Sequence, residues 1–325
     1  MPLLTSTFKT PFYLPGGDIQ SIIPAISRRV TGVKYQRERI STPDNDFIDI
    51  DWLHNTSLKI VLLLHGLEAS ADSPYMKGMS KALHAAGFSV AAMNLRGCSG
   101  EVNNQVRSYH SGSTDDVATV IDHLLQNKHC KNLMLVGFSL GGNLTLKYLG
   151  ERNSLDERIS KAVAISVPCD LEACALHLDN RIPFIYRNRF LRTLKHKAIL
   201  RVGRLPFSLS LRQIKKLDTF IEFDDYYTSQ LYGFKDAKDY YKKSSSKQFI
   251  PSITIPTLIL TALNDPFFTA ACFPFEECTN SPNVFLETPG DGGHVGFCTD
   301  FFSGSYHSEK RAIEFLMGDD KNSLA

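Results

Sequence analysis

Short apolar segments alternate with segments of helical periodicity along most of this 325-residue chain. The run 60–64 is apolar at every position, which is typical of a central strand that is covered on both faces. Similar runs lie at 88–94, 133–136, 162–167, 257–263 and 284–286. Segments that predict helices lie at 75–86, 115–127, 140–149 and 309–317. Strands and helices in alternation predict the α/β class, with a mostly parallel sheet flanked by helices.

The alternation stops between two of the predicted core strands. Residues 169–249 contain aromatic, then basic, then acidic stretches without alternating strands and helices, which indicates an insertion. We therefore expect a core of residues 1–168 and 250–325, with 169–249 as a helical cap over the carboxyl edge of the sheet. One α/β domain with such a cap is consistent with the length of the chain.

The first part of the chain lacks the pattern of alternating strands and helices. Residues 11–24 are rich in Pro and Gly and predict an irregular arm, which we take as 1–36. The segment 47–52 alternates apolar and polar residues, which predicts a half-buried strand. No segment has the roughly 18 consecutive apolar residues that cross a bilayer, and the first residues do not resemble a secretory signal. We therefore expect a protein without a membrane span.

The basic residues are concentrated in one part of the predicted cap. The formal net charge is only +2, but between Arg181 and Lys216 there are eleven Lys or Arg residues and no acidic residue, so the rest of the chain is net acidic. Apolar residues recur there at helical spacing, at Phe190, Leu191, Leu194, Ala198 and Val202. Basic residues lie between them, at Arg189, Arg192, Lys195 and Arg201. This pattern predicts an amphipathic basic helix.

Two interpretations of this helix remain open, and the first is favoured. It is either a cap helix with an apolar face over the site and a solvated basic face, or a segment that makes transient contact with an anionic membrane. We expect no nucleic-acid partner, because the rest of the chain is acidic and contains no recognised nucleic-acid-binding module.

The segment Gly137-Phe138-Ser139-Leu140-Gly141 lies directly between a predicted strand and a predicted helix. A Gly-x-Ser-x-Gly motif at such a junction is typical of a nucleophile elbow, a sharp turn that lifts the serine hydroxyl above the sheet. The alternative is a glycine-rich turn that only packs the helix onto the sheet. The order of strand, motif and helix favours Ser139 as a nucleophile.

A serine nucleophile needs a base, and the base needs an acid that orients it. Asp265 follows the strand predicted at 257–263, at the carboxyl edge where α/β sheets place their sites. His294 follows the last predicted strand in a glycine-rich loop. The order Ser, Asp, His is the one found with this type of elbow. Asp291 is a rival acid, but it lies on the same loop as His294 and the loop would have to fold back.

The tetrahedral intermediate of acyl transfer needs two backbone donors. We expect the N–H of Leu140, directly after the nucleophile, and the N–H of Leu67, in the loop that follows the strand at 60–64. His65 precedes this loop. We interpret it as a structural histidine that supports the loop, because His294 fills the role of the base better.

Several longer blocks carry a family resemblance. They are Pro15-Gly16-Gly17, His65-Gly66-Leu67, residues 94–100 (Asn-Leu-Arg-Gly-Cys-Ser-Gly), residues 107–112 (Arg-Ser-Tyr-His-Ser-Gly), residues 137–143, Asn264-Asp265-Pro266-Phe267 and residues 292–297. With these blocks the chain resembles the YheT-like branch of the α/β-hydrolases, which is related to the eukaryotic abhydrolase-domain lipases. The resemblance implies the α/β-hydrolase fold, a triad of Ser139, Asp265 and His294, and hydrolysis of carboxylic esters.

Two details of the blocks qualify this resemblance. Ala69 stands where relatives often carry Gly in the oxyanion loop, so the path of that loop is open. Cys98 and His110 could indicate thiol catalysis, but neither lies at an elbow, and we interpret both as structural supports of a loop beside the site.

The cysteine and histidine residues predict a site without disulfides, metals or cofactors. Seven cysteines are scattered with no paired spacing, and the ten histidines form no metal-binding pair, so we expect reduced thiols, no metal and no cofactor in a cytoplasmic protein. The predicted function is that of an esterase or lipase-like serine hydrolase acting on a small ester, with an acyl lipid as one option. The alternatives are an acyltransferase with the same residues and a non-catalytic binding protein of the same fold. No oligomeric state is predicted.

Overall fold

A computed structural model of the protein describes residues 3–126 and 130–318, in which nine strands form one sheet. Its order is β1-β9-β8-β7-β6-β4-β5-β3-β2, parallel from β1 to β5 and antiparallel at β3 and β2. The strands are β1 (Leu3–Leu4), β2 (Gln36–Ser41), β3 (Phe47–Leu53), β4 (Lys59–Leu64), β5 (Ser89–Asn94), β6 (Asn132–Phe138), β7 (Ile159–Ile165), β8 (Thr257–Leu260) and β9 (Val284–Glu287). A short antiparallel pair, β10 (Cys298–Asp300) and β11 (Ser305–Tyr306), lies apart from this sheet.

Helices cover both faces of the sheet. They are α1 (Gly16–Ser27), α2 (Pro74–Ala85), α3 (Thr114–Gln126), α4 (Leu140–Gly150), α5 (Leu171–Asn180), α6 (Ile185–Ile199), α7 (Leu211–Lys216), α8 (Phe220–Phe223), α9 (Ser229–Tyr232), α10 (Ala237–Ser244), α11 (Phe275–Thr279) and α12 (His307–Met317). On β4, Leu62 packs with residues of α3 and α4, whereas the next residue, Leu63, packs with residues of α2 and α12. The predicted mostly parallel sheet flanked by helices is therefore confirmed.

The predicted core elements agree with the observed ones to within a few residues. The helix predicted at 115–127 runs over Thr114–Gln126, and Asn127 lies outside the described residues. No helix in the described part of the chain is long and apolar enough to cross a membrane.

The antiparallel edge of the sheet differs from the prediction. β3 was expected to be half-buried, but six of its seven residues are buried, on both faces. The reason is that the buried carboxylates of Asp49 and Asp51 on its polar face form ion pairs with Arg39 and Arg37 of β2, whose own side chains stay partly in solvent. The sequence analysis did not predict β2, because its charged residues lack the apolar alternation of a typical strand.

The N-terminal segment is also more regular than predicted. The expected irregular arm contains β1, which pairs with β9, and helix α1. The side chain of Gln20 on α1 is almost fully buried. Tertiary contacts thus order a segment whose glycines and prolines predicted a loop.

The segment between β7 and β8 contains helices α5 to α10 and a hydrophobic cluster of its own. That cluster includes Phe267 and Phe268, which follow β8, so it also packs against the loops at the carboxyl edge of the sheet. One detail of the predicted basic helix is wrong. Helix α6 ends at Ile199, and Arg201 beyond its end is 2% exposed rather than on a solvated basic face.

Candidate active site

Ser139 occupies a sharp turn between β6 and α4. Its backbone has a φ of 52° and a ψ of −118°, a conformation that is rare for residues other than glycine. Small neighbours make this turn possible. A Cβ added to Gly137 would lie 2.3 Å from the carbonyl oxygen of Gly141, and one added to Gly141 would lie 2.3 Å from that of Leu64. The predicted strand, elbow and helix are therefore all present.

The structure brings Ser139, His294 and Asp265 into one series of hydrogen bonds. His294 Nε2 lies 2.9 Å from Ser139 Oγ, and His294 Nδ1 lies 2.8 Å from Asp265 Oδ2. The other carboxylate oxygen of Asp265 accepts the N–H of Phe267 at 2.9 Å. An ionised Asp265 places the ring proton of His294 on Nδ1 and leaves Nε2 free to accept the serine proton. Such a series can activate a hydroxyl for attack on a carbonyl carbon.

Two aromatic rings fix the plane of the His294 ring. Phe267 stacks on it with 3.8 Å between ring centroids and 16° between planes, and Phe268 meets it edge-on at 5.6 Å. Both phenylalanines directly follow the Asp265 turn. The segment that contains Asp265 therefore also positions the ring of His294.

The loop that carries His294 is bound to α1 and to the end of β7. The N–H of His294 donates to Ser21 Oγ at 2.7 Å, and the N–H of Gly292 donates to Gln20 Oε1 at 2.7 Å. The N–H of Val295 donates to Ser166 Oγ at 2.9 Å. The sequence analysis missed these supporting residues, because isolated polar residues in a segment expected to be irregular carry no local signal.

Asp291, the rival acid, is bonded to other side chains. Its Oδ1 accepts hydrogen bonds from the side-chain amides of Asn264 at 2.8 Å and Gln20 at 3.3 Å. Among the described residues it makes no hydrogen bond to the imidazole. The geometry thus places Asp265, not Asp291, beside His294.

The loop after β4 leaves one backbone donor unused. The N–H of Gly66 donates to the hydroxyl of Tyr75 at 2.9 Å, and that of Glu68 donates to the hydroxyl of Tyr109 at 2.8 Å. Within the described ranges 3–126 and 130–318, the N–H groups of Leu67 and Leu140 have no hydrogen-bond partner. These are the two donors that the sequence predicted for an oxyanion.

His65 supports this loop from below. Its Nδ1 donates to the carbonyl of Gly66 at 2.8 Å, while its Nε2 accepts the N–H of Leu95 at 3.0 Å. Full burial lowers the pKa of His65 to about 4, so the ring is neutral at physiological pH. Both ring nitrogens are occupied by backbone groups, as expected of a structural histidine.

Two cavities meet at Ser139. The inner cavity, of about 130 Å³, lies beneath the inserted helices and is lined mainly by apolar and aromatic residues, among them Leu140, Leu171, Phe190, Leu194 and Phe223. The outer opening, of about 470 Å³, is lined by His294 and by residues of α1 and α6, among them Ile22, Ala25, Ile185 and Arg189. A molecule with a reacting carbon at Ser139 can therefore extend in two directions.

Cys98 and His110 lack the properties of a thiol catalyst. Burial raises the pKa of the Cys98 thiol to about 11 and lowers that of His110 to about 3, so both groups are neutral at physiological pH. His110 lines the inner cavity, and its ring packs against Tyr232 with 4.3 Å between centroids. In the described part of the chain, no cluster of three or more His, Cys, Asp or Glu side chains is arranged to hold a metal ion.

Comparisons with known proteins give consistent matches. A family model described as alpha/beta hydrolase fold matches residues 59–301. The chain is 34% identical to the Escherichia coli protein YheT, whose name marks it as a proposed esterase, over 86% of this chain and 83% of that protein. It is 28% identical to human Phospholipase ABHD3, over 91% of this chain and 75% of that protein. Among solved structures, the Pyrococcus furiosus esterase Pf2001 aligns with a TM-score of 0.59 and 19% identity, over 89% of this chain and 97% of that one.

Proposed function

Since the chain belongs to the α/β-hydrolase fold family, in the branch that includes YheT and the abhydrolase-domain phospholipase, we propose that it is a serine hydrolase that cleaves carboxylic esters through an acyl-enzyme. The matches confirm both the α/β-hydrolase fold and the family resemblance expected from the sequence. Relatives in this branch are named as an esterase and a phospholipase, which supports an ester-cleaving enzyme in general terms. The nucleophile, the route and the substrate are our proposal.

The single observation that supports this route most directly is the hydrogen-bond series from Ser139 through His294 to Asp265. Ser139 Oγ attacks the ester carbonyl carbon while His294 Nε2 takes the hydroxyl proton, and Asp265 stabilises the imidazolium. The N–H groups of Leu67 and Leu140 stabilise the oxyanion.

The second half of the cycle uses the same groups. As the tetrahedral intermediate collapses, the ester C–O bond breaks and His294 returns the proton to the departing alcohol. Water then attacks the acyl-enzyme, with His294 as its base, which releases the acid and restores the Ser139 hydroxyl.

The sizes of the two cavities favour a short acyl group. An apolar cavity of about 150 Å³ is known to hold a benzene molecule, so an inner cavity of about 130 Å³ fits an acyl group of about six carbons. We place the acyl group in the inner cavity and the alcohol in the larger outer opening. An acyl lipid with a short chain remains compatible with this placement.

We also propose that residues 169–249 act as a cap on a core of residues 1–168 and 250–325. The support is that three apolar residues of α6, Phe190, Leu194 and Ala198, line the inner cavity beside Ser139. We assign the N-terminal arm, 1–36, to the core, because its Gln20 and Ser21 form hydrogen bonds with the loop of His294.

Contact with an anionic membrane at the outer opening is part of the proposal. Ile26 and Ile185 line this opening and are 71% and 53% exposed, and the exposed cations Arg189 and Arg192 line it too. Apolar residues beside cations are the combination that binds an interface of anionic lipid. Lys195 contributes less, because it forms an ion pair with Asp218.

All seven cysteines are free thiols, and six of them are buried. Reduced thiols are typical of proteins in a reducing compartment, which supports a cytoplasmic location.

Labelling with a fluorophosphonate tests the nucleophile. Ser139→Ala should abolish labelling and lower kcat for a short p-nitrophenyl ester by at least about 10⁴-fold, because removing a member of such a triad leaves only binding and oxyanion stabilisation. Ser208→Ala, at an exposed serine, is the matched control. Retained labelling or turnover in Ser139→Ala would reject the assignment.

The same assay separates the alternatives. Addition of a primary alcohol would divert the acyl group to a new ester if the protein is an acyltransferase. If the wild-type protein is not labelled by the fluorophosphonate and cleaves no ester, it is a non-catalytic binding protein with the same fold.

A further inference from the structure

Arg201 is a buried cation in the wall of the inner cavity. It is 2% exposed and lines the cavity that also contains Ser139. Its Nη1 donates to the carbonyl of Lys197 at 2.9 Å, which ties it to the last turn of α6. Its Nε is buried without a hydrogen-bond partner, and within the described residues Arg201 forms no ion pair. A buried charge without a counter-ion is unfavourable unless a ligand supplies one.

The unused edge of Arg201 is the one that other arginines of this protein use for carboxylates. Four arginines hold both oxygens of an aspartate through Nε and Nη2; they are Arg37, Arg39, Arg96 and Arg158. These two N–H groups are parallel and match the spacing of the carboxylate oxygens. In Arg201 neither group of this edge has a partner among the described residues.

The residues beside Arg201 form no ion pair with it in the described part of the chain. Glu68 also lines the cavity and already has a cationic partner, because Lys197 donates to its Oε1 at 3.0 Å; its Oε2 is buried without a hydrogen-bond partner. Gly97 approaches Arg201 closely: a Cβ at residue 97 would lie 3.0 Å from Arg201 Nη2. The absence of a side chain there leaves space for the guanidinium.

One further acid lines the cavity. Asp224 accepts hydrogen bonds from the hydroxyls of Thr228 and Tyr241, each at 2.6 Å. Burial raises the pKa of Asp224 to about 6, which still leaves this carboxyl mostly ionised at pH 7. It makes no ion pair with Arg201 in the described part of the chain. Both acids of the cavity wall thus form their hydrogen bonds with residues other than Arg201, and the guanidinium has no ion-pair partner among the described residues.

We propose that the inner cavity takes acyl groups that end in a carboxylate, and that Arg201 binds this carboxylate through its Nε and Nη2. The proposal rests on the proposed function and deepens it by naming the substrate class, the half-esters of short dicarboxylic acids. The ester carbonyl lies at Ser139, a short methylene chain crosses the apolar part of the cavity, and the free carboxylate reaches Arg201.

A matched pair of esters tests this assignment. Monoethyl glutarate carries the free carboxylate. Its neutral counterpart is the ethyl ester in which an isopropyl group, which has the same shape, replaces that carboxylate. The readout is the acid-to-neutral ratio, meaning kcat/KM for the first ester divided by that for the second. Arg201→Met should lower this ratio by about ten- to a hundredfold, the range for a lost hydrogen bond to a charged group. Arg201→Lys should restore part of it, because it keeps the charge but not the paired N–H groups.

Arg204→Met is the control, because Arg204 is exposed and lies three residues away on the same segment. It should leave the acid-to-neutral ratio within about twofold of wild type. An equal ratio in wild type, Arg201→Met and Arg204→Met, with the neutral ester still cleaved, would overturn the inference and leave the proposed function intact. The inference would also be overturned if kcat/KM depended on Arg201 only for esters that carry the carboxylate on the alcohol part.

Binding of glutarate to Ser139→Ala gives a readout that needs no turnover. Glutarate should raise the Tm of Ser139→Ala and fail to raise that of the double variant Ser139→Ala, Arg201→Met. If wild type cleaves no ester but glutarate still binds through Arg201, the proposed function fails and the anion site stands. Equal shifts of Tm in both variants would reject the site.

Discussion

Replacing Gln20 by Leu should weaken both the fold and the site, because Gln20 joins α1 to the loop of His294. Its side chain accepts from the N–H of Gly292 and from Asn264, and donates to the carbonyl of Leu14 and to Asp291. At about 1 kcal/mol of net stability per hydrogen bond, four lost bonds amount to about 4 kcal/mol. Asn264 and Asp291 still bond to each other, so we expect a loss of about 2–4 kcal/mol in the free energy of unfolding.

Such a loss leaves a folded protein if its total stability lies in the usual range of about 5–15 kcal/mol. The effect on catalysis should be separate, because a shift of about 1 Å in a catalytic group can lower the rate about a hundredfold. We therefore expect kcat for a neutral short ester to fall by at least about tenfold, with a smaller change in KM.

Urea unfolding and steady-state kinetics check both values. Gln230→Leu, the same change at an exposed position on α9, is the control and should match wild type in both assays. If Gln20→Leu unfolds at the same urea concentration as Gln230→Leu and its kcat lies within twofold of wild type, α1 does not hold the loop of His294 in the way described.

Three further changes test other parts of the structure. Asp265→Asn should lower kcat by about 10⁴-fold and Asp291→Asn far less, measured with the same ester; a larger loss in Asp291→Asn would reverse their roles. His65 has a folded-state pKa of about 4, below its usual 6.5, so its contribution to stability is present above pH 6.5 and is lost as the pH falls toward 4. Urea unfolding across this range should show a loss about 3 kcal/mol larger in wild type than in His65→Gln, and parallel curves would contradict a neutral His65. Sedimentation with anionic vesicles should be salt-sensitive and be lost in Arg189→Gln, Arg192→Gln but not in Lys238→Gln, Lys242→Gln; no sedimentation in any condition would leave the cap without a membrane partner.

The sequence predicted the core of the fold because burial leaves a local signature there. Strands such as β4 are apolar on both faces, and helices such as α3 have a clear apolar stripe. Strand β2 lacks this signature, since its arginines are satisfied by aspartates on β3. Helix α1 was missed for a related reason: its stabilising contacts come from residues far along the chain, which no local pattern records.

The candidate site divides in the same way. Ser139, Asp265 and His294 each follow a strand, so the topology of the sheet brings them to one edge, and a local motif was enough to select them. Arg201 was assigned to the wrong face because helical spacing was extended past Ile199, where α6 ends. Beyond that point the chain turns, and a residue expected in solvent lies in the wall of the inner cavity.

The bonds between α1 and the loop of His294 join residues 272 and 273 positions apart. A ribosome adds roughly 5–20 residues per second, so about 14–55 s pass between the synthesis of α1 and that of these partners. During that interval His294 is not yet present to contact Ser139. By the proposed route, a nascent chain can therefore cleave esters only after the loop of His294 has been synthesised and has bound α1.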